Sequence, residues 1–322
     1  MCTAVSFNIE NSLFGRNLDV ECEYGERVII TPRNFTLKFK NCIDLSNHYA
    51  IIGVGIREGE YPLYFDAANE HGLAMAGLNF VGNAKYFPPI PHKTNVAPYE
   101  FIPYVLGKFK SIKEAMAELG GINLTNLPFN STTPLAELHW IIADRYEAIT
   151  VEQTDEGLRI YENKVGILTN NPPFPFHMQN LAGHLNLTSN EAHNRFSETL
   201  DLEPYSRGMG AIGLPGDPSS ASRFVRAAFI AQNSTKSESC IGNVCQLFHI
   251  LSSVEQVQGS AAVGDKFERT EYSSVIDLDS LTYYYRTYTN SQICAVRLPK
   301  NDDTSYLKVL PMHKAQSIEY QN

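Results

Sequence analysis

A cysteine stands second in the chain, in Met1-Cys2-Thr3-Ala4. Its side chain is small, so removal of Met1 is expected and leaves Cys2 with a free α-amino group beside its thiol. An unperturbed α-amino group titrates at about 7.7 to 8 and a free thiol near about 8.5, which puts a nucleophile and a proton acceptor on one residue near neutral pH. The N-terminal threonine version of this pairing is an activated nucleophile for acyl transfer, and a thiol is intrinsically the stronger nucleophile. The competing reading is a buried structural cysteine, a common fate for a lone thiol.

Residues 3–7 alternate as a strand that would hold Cys2 at a sheet edge, and Phe14-Gly15-Arg16-Asn17-Leu18-Asp19 reads as the end of its paired strand. Arg16 and Asp19 then lie beside the thiol. An arginine there favours the thiolate, and an aspartate orients an amine or ammonium. As a surface ion pair the same two residues would contribute little. The residue types leave both readings open. For metals the spacing is unfavourable: Cys240 and Cys245 have no matching histidine pair, and His139 sits alone in a strand as a packed or partly exposed side chain. No metal or organic cofactor is expected.

The elements that must position these groups fall into blocks. Residues 3–8, 12–16, 27–31, 49–56 and 73–78 predict short strands bounded by Gly, Asn and Pro. Residues 98–119 predict two helices, the second opened by the capping box Ser111-Ile112-Lys113-Glu114 and buried along Ile112, Ala115, Met116 and Leu119. Residues 138–143, 148–153, 158–161 and 165–169 predict an antiparallel meander. Helices are expected at 220–231 and 244–254, and strands return over 270–298. Residues 172–218 fit either an excursion that reaches a neighbouring subunit or covers a site, or disorder. Grouped rather than alternating strands and helices favour an α+β fold with antiparallel sheets. Neither a repeat nor a low-complexity linker interrupts residues 1–322, so one domain is expected.

The chain has 322 residues, 43% of them hydrophobic and 19% charged, which suits a globular protein with a sizeable core. Its net charge of −9 argues against general nucleic-acid binding, which needs a basic stripe. A small anion held by a local arginine remains compatible with that charge. The first residues lack a basic, apolar export pattern, and the apolar run at 49–56 is too short to span a bilayer, so the expectation is a cytoplasmic protein without a membrane partner. In that setting the six cysteines, at 2, 22, 42, 240, 245 and 294, read as reduced thiols.

Five further blocks join the opening Met1-Cys2-Thr3-Ala4: Phe14-Gly15-Arg16-Asn17-Leu18-Asp19, Ala76-Gly77-Leu78-Asn79-Phe80, Leu168-Thr169-Asn170-Asn171-Pro172, Gly213-Leu214-Pro215-Gly216-Asp217 and Ser222-Arg223-Phe224. In this order, over nearly the whole chain, they resemble the choloylglycine hydrolase family of N-terminal nucleophile hydrolases, which holds bile salt hydrolases and penicillin V acylases. The resemblance implies a four-layer αββα fold with two stacked antiparallel sheets, and a homotetramer in which a segment at about residues 181–211 reaches a neighbour. By motif position it implies Cys2 as nucleophile, Arg16 near the thiol, Asp19 near the amino group, Asn79 and Asn170 as oxyanion-hole contributors, and Arg223 as a supporting charge. Asn171 stays open as an alternative to Asn170, and Asn79 as a residue that only closes a turn.

The reaction so implied is attack of the Cys2 thiolate on the amide joining a steroid acyl group to glycine or taurine. Departure of the amine leaves a thioester on Cys2, which water then cleaves. The backbone N–H of Asn79 and the side-chain amide of Asn170 would stabilise the oxyanion. A steroid needs a broad apolar pocket, for which Leu18, Tyr24, Ile56, Phe65 and Leu135 are the candidates near Cys2. A penicillin V acylase is the near alternative, and relatives of that type tend to carry Tyr at the place of Asn79. A non-catalytic ligand-binding relative and a redox-sensing thiol protein are the alternatives from other classes.

Overall fold

The structure, a computed structural model, describes residues 1–8 and 11–322. Six strands open the chain: β1 (Cys2–Asn8), β2 (Ser12–Val20), β3 (Arg27–Thr31), β4 (Ile51–Glu58), β5 (Tyr61–Asn69) and β6 (Ala74–Asn79). A short β7 (Thr94–Val96) leads into α1 (Pro98–Lys108) and α2 (Ile112–Leu119), and β8 (Ile122–Leu124) returns to pair with β7. There follow β9 (Leu138–Ala143), β10 (Ala148–Thr154), β11 (Gly157–Glu162), β12 (Ile167–Leu168), α3 (Phe174–Ala182), α4 (Ser220–Asn233) and α5 (Cys240–Ser252). The chain closes with β13 (Ala262–Val263), β14 (Lys266–Phe267), β15 (Arg269–Asp277), β16 (Thr282–Thr287), β17 (Asn290–Arg297) and β18 (Lys308–Pro311).

Two antiparallel sheets dominate, one ordered β12-β1-β2-β15-β16-β17 and the other β11-β10-β9-β6-β5-β4-β3-β18. Helix α1 packs on β5 and β6 of the larger sheet, while α4 and α5 pack on β1, β2 and β15 of the smaller one. The four layers are therefore helix, sheet, sheet, helix, the αββα order expected. Alternation along β2 makes this possible, because Phe14, Arg16 and Leu18 face the other sheet while Gly15, Asn17 and Asp19 face the helices. Accordingly Arg16 Nη1 reaches Gly77 O across the sandwich, and Asn17 Nδ2 donates to Leu251 O of α5. Gly15 sets how closely α5 can lie: a Cβ there would meet Ser274 O at 2.7 Å and the Leu247 side chain at 3.1 Å. Among the described residues, no helix is long and apolar enough to cross a membrane.

Several sequence expectations change. Residues 165–169 do not continue the meander. Gly166, at φ +72°, turns the chain out of the larger sheet, and β12 pairs with β1 in the smaller one. Strand β5 was not anticipated, since Phe65 is an extra residue in its pairing with β4 and breaks the two-residue alternation. Met116 is 45% exposed, leaving Ile112, Ala115 and Leu119 as the buried face of α2. The Ser111 cap forms, but Glu114 returns its carboxylate to the N–H of Lys110 rather than to that of Ser111. Within residues 172–218 the chain forms α3 and then turns and bends with one 3-10 turn, Met209–Ala211.

Candidate active site

The register of β1 against β2 places Cys2 opposite Leu18 and Ala4 opposite Arg16, so the thiol and the guanidinium share the face between the sheets. Cys2 is 2% exposed, and Arg16 Nη2 donates to its Sγ at 2.9 Å. Two carbonyls of the larger sheet fix the other arm of the guanidinium: Nη1 donates to Phe65 O at 2.9 Å and to Gly77 O at 3.1 Å. Val54 pairs with Asp66 and Gly55 with Tyr64, which leaves Phe65 bulged and its carbonyl outside that ladder.

Asp66 supplies the counter-charge, with Oδ1 3.9 Å from Arg16 Nε. This buried carboxylate also accepts from the hydroxyls of Tyr272, Tyr283 and Ser274 on the opposite sheet. Burial pushes the Asp66 carboxyl above its ordinary range while Arg16 opposes the shift. Burial also disfavours the charge on Arg16, but Cys2, Tyr272 and Asp66 outweigh it and the guanidinium is held more firmly protonated than usual.

The backbone of Cys2 is held on its other side. Strand β12 pairs Leu168 with Ala4 and then ends, and continuing that register brings Asn170 opposite Cys2. The Cys2 N–H donates to Asn170 Oδ1 at 2.8 Å. Arg223 from α4 binds the same Oδ1 through Nη2 at 2.6 Å, and through Nη1 binds Cys2 O at 2.5 Å and Thr3 Oγ1 at 2.7 Å. Its Nε donates to Pro218 O at 2.9 Å. Burial lowers the proton affinity of Arg223, against the pull of Asp19, Cys2 and Glu268. Asn171 turns away and donates to Val81 O, so Asn170 is the asparagine that meets Cys2.

Asn79 ends β6 with its side chain exposed. Phe80 donates its N–H to Glu137 O on the β9 side, so the N–H and C=O of Asn79 point to the opposite edge, beyond the last β5 pair, Asp66 with Ala76. There Asn79 O accepts from Asn170 Nδ2 at 2.8 Å. The Asn79 N–H and the Asn170 amide thus lie on one side, next to Cys2.

Asp19 lies one residue beyond Leu18 on the helix-facing side of β2. An irregularity in β15 between Thr270 and Tyr272 puts Thr270 opposite Asp19, and Thr270 Oγ1 donates to Asp19 Oδ1 at 2.6 Å. The other carboxylate oxygen, Oδ2, is buried without a hydrogen-bond partner among the described residues. Burial pushes Asp19 up, while Arg223 and the N-terminal ammonium pull it down. With Met1 attached, that ammonium donates to Asp19 O at 2.8 Å and pairs with Glu268 at 2.7 Å.

The five apolar candidates divide. Leu18 is buried in the same core cluster as Cys2, Phe65 packs on that cluster, and the Tyr24 ring lies 6.0 Å from the Phe65 ring. Ile56 is half-buried opposite Leu63, two residues beyond Val54 on the same face of β4. Leu135 packs instead with the cluster between the larger sheet and α1. His139, expected as a packed or partly exposed side chain, is fully buried and pairs with Glu152, a partner the sequence reading missed. The available signal was positional, since two polar residues recur at facing places of the predicted hairpin 138–143 and 148–153.

A thiol beside a fixed positive charge, with the end of β6 and the Asn170 amide next to it, is an arrangement suited to acyl transfer through a tetrahedral oxyanion. Comparison with known proteins agrees in kind. The pattern of the linear amide C–N hydrolases, choloylglycine hydrolase family, matches residues 2–308. A bile salt hydrolase/transferase of Lactiplantibacillus plantarum is 49% identical over 314 residues, 97% of each chain. The crystal structure of the C2A mutant of the conjugated bile acid hydrolase from Clostridium perfringens superposes with a TM-score of 0.93 at 36% identity, covering 100% of both chains. A penicillin V acylase from Agrobacterium tumefaciens shares the fold at a TM-score of 0.76 and 20% identity, over 97% of this chain and 91% of its own.

Proposed function

The chain belongs to the choloylglycine hydrolase family of linear amide C–N hydrolases, and from that premise we propose that it is a bile salt hydrolase cleaving glycine- and taurine-conjugated bile salts. The observation that carries the proposal is the double hold on Cys2: its sulfur takes Arg16 Nη2 at 2.9 Å while its nitrogen reaches Asn170 Oδ1 at 2.8 Å. In the proposed cycle Met1 is removed and the Cys2 nitrogen becomes an α-amine. Arg16 stabilises the thiolate, which attacks the amide carbonyl. The oxyanion is received by the Asn79 N–H and Asn170 Nδ2, a contribution of roughly 2.7–4 kcal/mol per donor in comparable sites. The α-ammonium protonates the departing amine, and the regenerated amine activates water against the thioester. The unpartnered Asp19 Oδ2 supports a role for that carboxylate in holding the α-ammonium. Arg223 ties Cys2 O to Asn170 and keeps nucleophile and donor together.

Leu18, Tyr24 and Phe65 are proposed as the wall against which the steroid lies, with Ile56 further out. The same thioester is open to an amine in place of water, the transferase half of the relative's name. A homotetramer assembled through residues 181–211 belongs to the proposal, as does a cytoplasmic location, supported by six cysteines that are all free.

The test is to confirm Met1 removal by intact mass and then to incubate the protein with glycocholate, taurocholate and penicillin V. Preferential release of glycine or taurine supports the proposal. Preference for penicillin V keeps the mechanism and replaces the substrate. No turnover of any of the three by processed, reduced protein removes the catalytic reading.

A further inference from the structure

His139 on β9 faces Glu152 on β10, following the register that pairs Trp140 with Val151. Both side chains are fully buried, with His139 Nδ1 2.9 Å from Glu152 Oε1. Among the described residues, the other side-chain hydrogen bonds and the ring stacking of this pair lead to the two stretches that carry Asn79 and Asn170. His139 Nε2 lies 3.0 Å from the carbonyl oxygen of Thr169, the residue before Asn170. Phe80, the residue after Asn79, stacks on the imidazole with centroids 4.3 Å apart and planes within 7°. Glu152 accepts the N–H of Phe174 at 3.0 and 3.2 Å, which anchors the start of α3 just past Asn170. From that helix His177 Nε2 returns to Asn170 O at 2.8 Å, its ring stacked on Phe224 beside Arg223.

Both ring nitrogens of His139 face oxygen atoms. Glu152 Oε1 and Thr169 O thus hold the ring from its two nitrogens.

We propose that His139 and Glu152 are positioning residues for catalysis, a buried strut that sets the distance between the Asn79 N–H and the Asn170 amide. The inference rests on the assignment of those two groups as oxyanion donors. Neither His139 nor Glu152 touches Cys2. Their effect is exerted through Phe80 on one donor and through Thr169 and Phe174 on the other. A displacement of about 1 Å in such a site is enough to cost roughly a hundredfold in rate.

The experiment compares His139→Leu, Glu152→Leu, the double Leu variant and Glu152→Gln with wild type on whichever amide substrate wild type cleaves. The readouts are kcat, KM, the rate of Cys2 alkylation by iodoacetamide, and Tm. Wild-type turnover tests the proposed function; only the ratio of variant to wild type tests the strut. Each Leu variant is expected to lose roughly 10- to 100-fold in kcat with KM and alkylation rate little changed, since the pocket and thiol are untouched. Glu152→Gln keeps an acceptor for Phe174 and a donor for His139 Nδ1, and is expected to restore most of kcat. Where a single Leu variant fails to fold because one buried partner is left alone, the double variant removes both and supplies the comparison. A folded double variant with wild-type kcat overturns the proposal. So does a loss of kcat matched by an equal loss of alkylation rate, or a Glu152→Gln variant as slow as Glu152→Leu.

Discussion

Cys2 and Asn170 stand in register across the end of the smaller sheet, with the Cys2 N–H 2.8 Å from Asn170 Oδ1. One asparagine therefore works in two directions: its oxygen holds the Cys2 backbone and Arg223, and its Nδ2 donates to Asn79 O. Asn170→Asp separates the two, because it keeps the acceptor and deletes the donor. kcat is expected to fall by about 10²–10³, the usual cost of one oxyanion donor, with KM little altered. Steady-state kinetics on a conjugated bile salt decide this. A variant with near-wild-type kcat would remove Asn170 from the oxyanion role.

Arg16 has two dependants, the Cys2 sulfur and the Asp66 carboxylate. Arg16→Leu leaves Asp66 buried without a counter-charge, and loss of one partner from a buried pair typically destabilises by about 3–5 kcal/mol. Adding Asp66→Asn removes the stranded charge and is expected to recover much of the lost Tm. It should recover little activity, since the sulfur still lacks its donor. Thermal unfolding and Cys2 alkylation rates on the two variants separate these effects. Parallel recovery of both would show that Arg16 serves stability alone.

Asp217 governs how α4, and with it Arg223, begins. Its carboxylate accepts the Ser219 N–H at 3.0 Å and the Ser222 hydroxyl at 2.5 Å. The hydrogen bonds from Ser219 and then Ser222 lower its titration to about 2. An unfolded aspartate titrates near about 3.9, so the folded chain binds this proton less tightly than the unfolded chain. The stabilisation is therefore present above about pH 4 and is lost as pH falls toward about 2. In Asp217→Asn that increment should be missing, so the two Tm curves converge as pH drops through this window. Curves that stay parallel from pH 5 to pH 2 would exclude the linkage.

The parts of the fold legible in sequence were those with unbroken alternation or a side-chain cap. The strand Leu138–Ala143 fell where its apolar run lies, and α4 began at Ser220 after the cap residue Ser219. Strand β5 escaped because the Phe65 bulge interrupts its period, and α3 because its cap position is Pro173, which offers no side-chain acceptor. Around Cys2, the nearness of Arg16 was legible because the two lie on paired strands close in sequence, whereas Asp19 falls on the opposite, helix-facing side of β2, beside the chain's amino end rather than the thiol. The role of Asp66 was not legible, since its partners Arg16, Tyr272, Ser274 and Tyr283 come from three strands of the opposite sheet. The same holds for His139, whose links run to Phe80, after the neighbouring β6 of its own sheet, and to Thr169, after β12 of the smaller one.

The long segment after α3 carries the clearest prediction about assembly. Leu185 is 86% exposed, Phe196 84% and Tyr205 84%, with Leu200 and Leu202 about half exposed beside them in sequence. Single exposed apolar residues are ordinary on a protein surface, but five large ones within 21 mostly irregular positions support the proposed assembly surface. In the proposed tetramer they are the anchors, and buried aromatic anchors at interfaces are worth roughly 2 kcal/mol or more each, about thirtyfold in affinity. Phe196→Asp and Leu185→Asp together should therefore shift the mass measured by light scattering from four chains to fewer at micromolar concentration. Tm at neutral pH should fall modestly, because neither side chain contributes to either core cluster. Retention of the tetramer by the double variant would place the interface elsewhere on the molecule, and a monomeric wild type would remove the tetramer from the proposal.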